Sequence, residues 1–149
     1  MEIFFNHGCY CKWGKASMRC LIEIWLLRNS LFVREQMANN KKIRLLNHLR
    51  WFYNNRENIY TFRCSKRMVA VAFFPLNEKS WSIYRSENLY KYFDGNFSES
   101  VDFLLRKLDK NIHAKIKNNN LRSIIFHKKI GFKKNKNDEF YSYFTRQKK

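Results

Sequence analysis

Glycine and proline are almost missing from this chain, with four Gly and one Pro in 149 residues. Those two residue types supply the left-handed and the rigid backbone conformations that tight turns need. A chain so poor in both has little material for tandem turn-rich β architectures, collagen-like repeats or flexible linkers. Nearly every segment is therefore expected to be helix, strand or short connection. With 45% hydrophobic and 17% aromatic side chains, the apolar material suffices for one compact domain over 1–149. No internal repeat and no linker interrupts it.

Periodicity gives the order of elements. Met18, Leu21, Ile22, Trp25 and Leu26 recur at helical spacing, and Leu45, Leu46, Leu49 and Phe52 do so again, which predicts two early amphipathic helices. Ile59–Cys64, the apolar run Met68–Phe74 closed by Pro75, and Trp81–Tyr84 after the Asn77-Glu-Lys turn read as a three-strand meander. A third helix should begin close to Phe97, with Asn96 as N-cap and Glu99 as its N3 partner in a variant of the capping box. Alternation predicts a strand over 111–117. Asn120 is placed to cap a fourth helix whose face is lined by Leu121, Ile124 and Ile125, and Gly131 is placed to end it in the left-handed conformation. Phe140–Phe144 reads as the final strand. The order is that of an α/β (α+β) protein with a mixed, mostly antiparallel central sheet flanked by about four helices.

Thirty Lys and Arg against twelve Asp and Glu give a net charge of +18, a field that attracts polyanions such as nucleic acid, acidic membrane or a phosphorylated cofactor. The same charge also fits a merely solvated Lys-rich surface. The first residues lack a basic and apolar signal pattern, and no apolar run reaches bilayer length, so a cytoplasmic protein without a membrane anchor is expected. In that setting Cys9, Cys11, Cys20 and Cys64 are expected as free thiols. His7-x-Cys9-x-Cys11 with Cys20 lacks ordinary zinc spacing, so no metal is expected.

One stretch carries a family signature. Asn120-Leu-Arg-Ser123-Ile-Ile-Phe-His127-Lys-Lys-Ile-Gly131-Phe132 resembles the C-terminal motif of the GNAT acyltransferase superfamily, in which Asn, Ser or Ala, Tyr or His, and Gly-Phe recur at this spacing. Arg28-Asn29-Ser30-Leu-Phe-Val33-Arg34, with Ile43 and His48-Leu-Arg-Trp51-Phe52, is similar to the branch that acetylates nucleotide-linked amino sugars, near relatives of the ribosomal-protein alanine acetyltransferases. Trp81–Tyr84 falls where that family places its fourth strand. The resemblance covers residues 18 to 145.

It implies transfer of acetyl from acetyl-CoA to a primary amine, that of a nucleotide-linked amino sugar, by direct attack on the thioester. By family position His127 is the proton donor to the departing thiolate; the competing reading is a packed histidine. Glu35 and His48 are the candidates for the base, with a water chain as the other route. Cofactor contacts are expected at Ile83, Tyr84, Lys91, Gly95, Asn96, Phe97, Ser98, Asn120 and Ser123, with amides at the start of the third helix meeting phosphate. Arg28, Asn29, Arg34, His48 and Trp51 are expected on the acceptor side, although Arg28 and Arg34 also read as helix-end cations and Trp51 as core. The family's Arg/Gln-x-x-Gly-x-Gly/Ala loop is replaced by Glu87-Asn-Leu-Tyr-Lys91-Tyr-Phe-Asp94-Gly95-Asn96-Phe97, where Gly95 alone survives. Gly95 is therefore expected at a positive φ or against a phosphate. Two other readings stand beside this one: a protein N-terminal acetyltransferase, and an inactive GNAT-like fold that binds nucleic acid or another polyanion.

Overall fold

The β-branched and aromatic run Ile59–Cys64 and the apolar run ending at Phe73 become neighbouring strands, as their composition favours. The computed structural model describes residues 2–4, 10–37, 39–76, 80–108 and 110–148. They form two units, 1–73 with 83–95, and 74–82 with 96–149.

The first unit contains a five-stranded sheet in the order β1-β2-β3-β4-β5: β1 Glu2–Phe4, β2 Tyr10–Lys15, β3 Ile59–Cys64, β4 Arg67–Phe73 and β5 Ser82–Arg85. Strands β1 to β4 pair antiparallel, with Trp13 opposite Phe62 and Ile59 opposite Phe73. Val69, Ala70, Val71 and Ala72 are buried in succession, so β4 is covered on both faces. Helices α1 (Leu21–Asn29), α2 (Leu31–Arg34), α3 (Leu45–Asn55) and α4 (Leu89–Tyr92) complete the unit. Leu21, Ile24, Phe52, Ile59 and Val71 form one core cluster, with Trp51 and Tyr84 packed against it.

The second unit contains α5 (Phe97–Lys107), β6 (Ile112–Lys117), α6 (Leu121–Lys129), β7 (Lys133–Asn137) and β8 (Tyr141–Arg146), the strands in the order β6-β8-β7 and antiparallel. Alternation places Ile112, Ala114 and Ile116 inside, against a core that includes Val101, Leu104, Phe132 and Phe144. Arg146, 6% exposed, is paired with Asp102 at 2.7 Å and donates to the Ile130 carbonyl at 2.8 Å, which satisfies an otherwise costly buried guanidinium.

The two antiparallel sheets and their helices give the mixed α/β class expected. Helix α5 starts at Phe97, and Asn96 accepts from the Ser98 N–H while donating to Glu99. Gly131 ends α6 at φ +86°. Several details differ. Among the described residues the α-helices number six, because the single turns α2 and α4, which leave no periodic signal, join the four expected. Strand β7, Lys-Lys-Asn-Lys-Asn, has no apolar residue and pairs with β8. The apolar stripes expected on three helices are also displaced. Leu21 and Phe52 are buried as expected, but Ile22, Leu26, Leu46, Leu121 and Ile125 are exposed, and Ile24, His48 and His127 are buried in their place.

Nor are all the cysteines thiols. Antiparallel register sets Cys11 directly opposite Cys64, and the two form a disulfide between β2 and β3. Cys20 is free and buried. His7, Cys9 and the Asn77-Glu-Lys turn lie outside the described residues.

Candidate functional site

In the first unit, Arg28, His48, Trp51 and Tyr84 come together. Residue 28 lies seven positions after Leu21 on α1, so its side chain falls on the helix's inner face. The Arg28 guanidinium carbon stands 4.1 Å from the Trp51 ring centre and 5.5 Å from that of Tyr84. Such stacking suits a delocalised cation, but the buried Nε of Arg28 has no hydrogen-bond partner. His48 is fully buried. Its Nε2–H donates to the Leu21 carbonyl at 3.1 Å, and its Nδ1 is left without a partner. Burial, aided by the charge of Arg28 and opposed by the Leu21 carbonyl, pushes the His48 pKa down. His48 packs against Trp51 with ring centres 5.4 Å apart.

The neighbouring expected residues are occupied with structure. Asn29 accepts from the Ile43 N–H at 2.7 Å and donates to the Ile43 carbonyl at 3.0 Å, which Trp25 also reaches at 2.8 Å. Arg34 donates to the Asn29 and Asn40 carbonyls, both at 3.1 Å. Together they tie the segment before α3 to the end of α1. Glu35 is exposed as the C-cap of α2. Ile83 and Tyr84 are half-buried on β5, Lys91 is exposed on α4, and Glu87 and Asp94 are exposed beside it. Among the described residues positive φ occurs at Ser65 and Gly131, so of the two uses expected of Gly95 the approach to a phosphate is the one that stands.

In the second unit, His127 is enclosed. Its Nε2 accepts from the Trp81 indole N–H at 3.1 Å, and its Nδ1–H donates to the Ser123 carbonyl at 2.7 Å, with the Ser123 hydroxyl 3.3 Å away. Trp81 and Phe132 stack at 5.7 Å and both meet the imidazole edge-on. Burial pushes the His127 pKa down to about 4 against the opposing pull of the Ser123 carbonyl. The ring is therefore neutral near pH 7, with both nitrogens engaged in the core. Asn120 accepts from the Ser123 N–H at 3.1 Å as the cap of α6. At the start of α5 the Ser98 N–H, expected for phosphate, is taken by Asn96 at 3.1 Å, and the exposed Glu99 carboxylate accepts from Asn96 at 2.8 Å. Phe97 is buried and stacks with Phe126 at 6.0 Å.

Trp81, the partner that sets the His127 tautomer, was not among the expected site residues; its sequence signal is a Trp immediately ahead of a short strand. Among the described residues no group of three metal-ligating side chains occurs. Nor is any helix among them long and apolar enough to cross a membrane.

No family model matches the chain, and no curated protein matches it. Solved structures do. A domain from Methanocaldococcus jannaschii superposes with TM-score 0.76 at 20% identity, over 93% of this chain and 99% of that one. The ribosomal-protein-alanine N-acetyltransferase of Brucella melitensis gives 0.73 at 15%, over 91% and 99%. A Salmonella typhimurium protein solved with its cofactor acetyl-CoA gives 0.66 at 16%, over 92% and 93%. The fold is that of the GNAT acetyltransferases.

Proposed function

We propose that the protein is an N-acetyltransferase that moves acetyl from acetyl-CoA to a primary amine, with 1–149 serving that one activity. The observation that carries the reading is fold similarity over more than nine-tenths of the chain to acetyltransferases, one neighbour having been solved with acetyl-CoA. The cofactor would supply an activated acyl thioester. Its phosphates would draw on the Ser98 N–H, which an anion can take over from Asn96 because that cap is a single exchangeable hydrogen bond. Glu99 opposes such an anion. The fit is thus a thinner cradle than a glycine loop provides, and it makes affinity depend on salt.

The chain's own groups limit how protons move. His127 has its only N–H on the Ser123 carbonyl and is neutral near pH 7, so in this reading it braces Trp81 and leaves thiolate protonation to solvent. His48 is buried, so the amine's proton goes to water or to the exposed carboxylate of Glu35. For the acceptor we favour the nucleotide-linked amino sugar. Arg28, whose Nε lacks a partner beside the rings of Trp51 and Tyr84, is the group suited to its phosphate or base. A protein N-terminus is the second reading, favoured by the similarity to the ribosomal-protein-alanine enzyme.

Calorimetry with acetyl-CoA tests the first step. Micromolar-range binding that weakens as salt rises is expected, and no binding at millimolar acetyl-CoA in low salt overturns the proposal. Comparing acetyl transfer to amino-sugar nucleotides with transfer to Ala- and Ser-initiated peptides then decides the acceptor.

A further inference from the structure

The outer face of the sheet β6-β8-β7 is unlike an ordinary solvated surface. Strand β8 turns Phe144 and Ser142 inward and leaves Tyr141 and Tyr143 half-buried on the other side. Register places Lys117 opposite Tyr141 and Lys115 opposite Tyr143, while Lys136 and Lys133 of β7 stand opposite Tyr143 and Thr145. The result is a row of two phenol rings flanked on both sides by lysines. The Lys115 ammonium lies 4.1 Å from the Tyr141 ring centre and the Lys136 ammonium 4.9 Å from that of Tyr143. Among the described residues none of these four lysines is in a salt bridge, although the charge of Lys115 acts on the Asp138 carboxylate. Asp138, at the β7–β8 turn, accepts from the Tyr143 hydroxyl at 2.8 Å and so fixes that ring's tilt, and Glu139 beside it is exposed.

We propose that this face binds single-stranded nucleic acid, bases on Tyr141 and Tyr143 and phosphates on Lys115, Lys117, Lys133 and Lys136. Three features fit that occupant. The charge is complementary to a phosphate backbone, within a chain of net charge +18. Rings two residues apart on one strand are about 6.8 Å apart, which leaves room for one base on each. An exposed ammonium–ring contact is weak, so a phosphate can draw the lysine aside and uncover the ring that a base then covers. Unpaired bases offer that stacking surface, whereas duplex bases are already stacked. The binding is independent of acetyl transfer and does not rest on it.

Fluorescence anisotropy on the full chain tests it with a labelled oligouridylate of about 15 nucleotides, a duplex of equal length, heparin, and vesicles containing anionic lipid. The single strand should bind on the order of tenfold more tightly than the duplex. Tyr141→Ala and Tyr143→Ala should each weaken it by about fivefold or more, with duplex binding changed less than about twofold. Tyr143→Phe, which keeps the ring but loses the bond to Asp138, should bind as the parent does, and Tyr143→Leu gives the same loss as alanine if the alanine variant does not fold. Lys115→Gln and Lys136→Gln should each lower the slope of log affinity against log salt by about 0.7, whereas Lys66→Gln, in the exposed β3–β4 turn, should leave the preference for single strands intact. Equal binding of oligouridylate, duplex, heparin and vesicles, or tyrosine variants that bind like the parent, overturns the proposal.

Discussion

At the scale of the residue, two helices bury and a third half-buries a side chain that a binary pattern assigns to water: His48 and His127, and Arg28. Each is accommodated differently, Arg28 by aromatic faces, His48 by one carbonyl, and His127 by an indole N–H and a carbonyl. Two predictions belong here. First, His127→Phe should leave kcat for acetyl transfer within about threefold of the parent, because no proton passes through the ring. It should nevertheless cost about 1–3 kcal/mol in chemical denaturation, since the Trp81 N–H loses its acceptor. A large kcat loss in a fully folded variant would restore His127 as the donor. Second, the folded His127 pKa of about 4 lies below its ordinary 6.5, so the unfolded chain takes up the proton first as pH falls. The stability that this histidine confers is whole above about pH 6.5 and is lost as pH falls toward 4. The loss is on the order of 3 kcal/mol, and His48, shifted in the same direction, adds to it. Urea midpoints from pH 7.5 to 4.5 should decline in the parent and decline less in His127→Phe.

At the scale of the element, the start of α5 and the pair β2–β3 are held by local chemistry. Asn96 caps α5 through the Ser98 N–H, so Asn96→Ala should lower stability by about 1 kcal/mol. If the same N–H is shared with acetyl-CoA, that variant should bind the cofactor no worse than the parent, which calorimetry reads directly. The Cys11–Cys64 disulfide joins residues 53 apart in sequence. A closed loop of that length restricts the unfolded chain by about 4 kcal/mol in the chain-entropy account. Reductant, or Cys64→Ser, should therefore lower Tm clearly, while an unchanged Tm would mean that the two sulfurs are not bonded in solution. Spacing alone did not disclose this pair, because opposite positions on neighbouring strands are defined by register and not by separation along the chain.

At the scale of the whole molecule, +18 in 149 residues is a self-repelling distribution. Raising NaCl from about 20 to 300 mM shortens the Debye length from about 20 Å to under 10 Å, so Tm should rise with salt over that range even as acetyl-CoA affinity falls. Opposite responses of stability and binding to one variable are what a uniformly basic chain predicts. A Tm that falls with salt would show that attractive pairs such as Arg146–Asp102 and Arg63–Glu23 outweigh the repulsion.

The sequence by itself determined the strand at 59–64, the capped start at Phe97, the left-handed stop at Gly131 and the fold class, because each is written in short-range terms: alternation, cap residues and a glycine. Tertiary structure decided what those terms do not contain. It chose which helix faces go inside, since a half-buried Arg28 or a buried His48 or His127 is tolerable only when a ring or carbonyl receives it. It made a strand of the wholly polar 133–137, since ladder hydrogen bonds to β8 need no apolar side chain. It paired Cys11 with Cys64, and it lined up Tyr141, Tyr143 and their lysines on one face, since cross-strand neighbours exist only once the register is set.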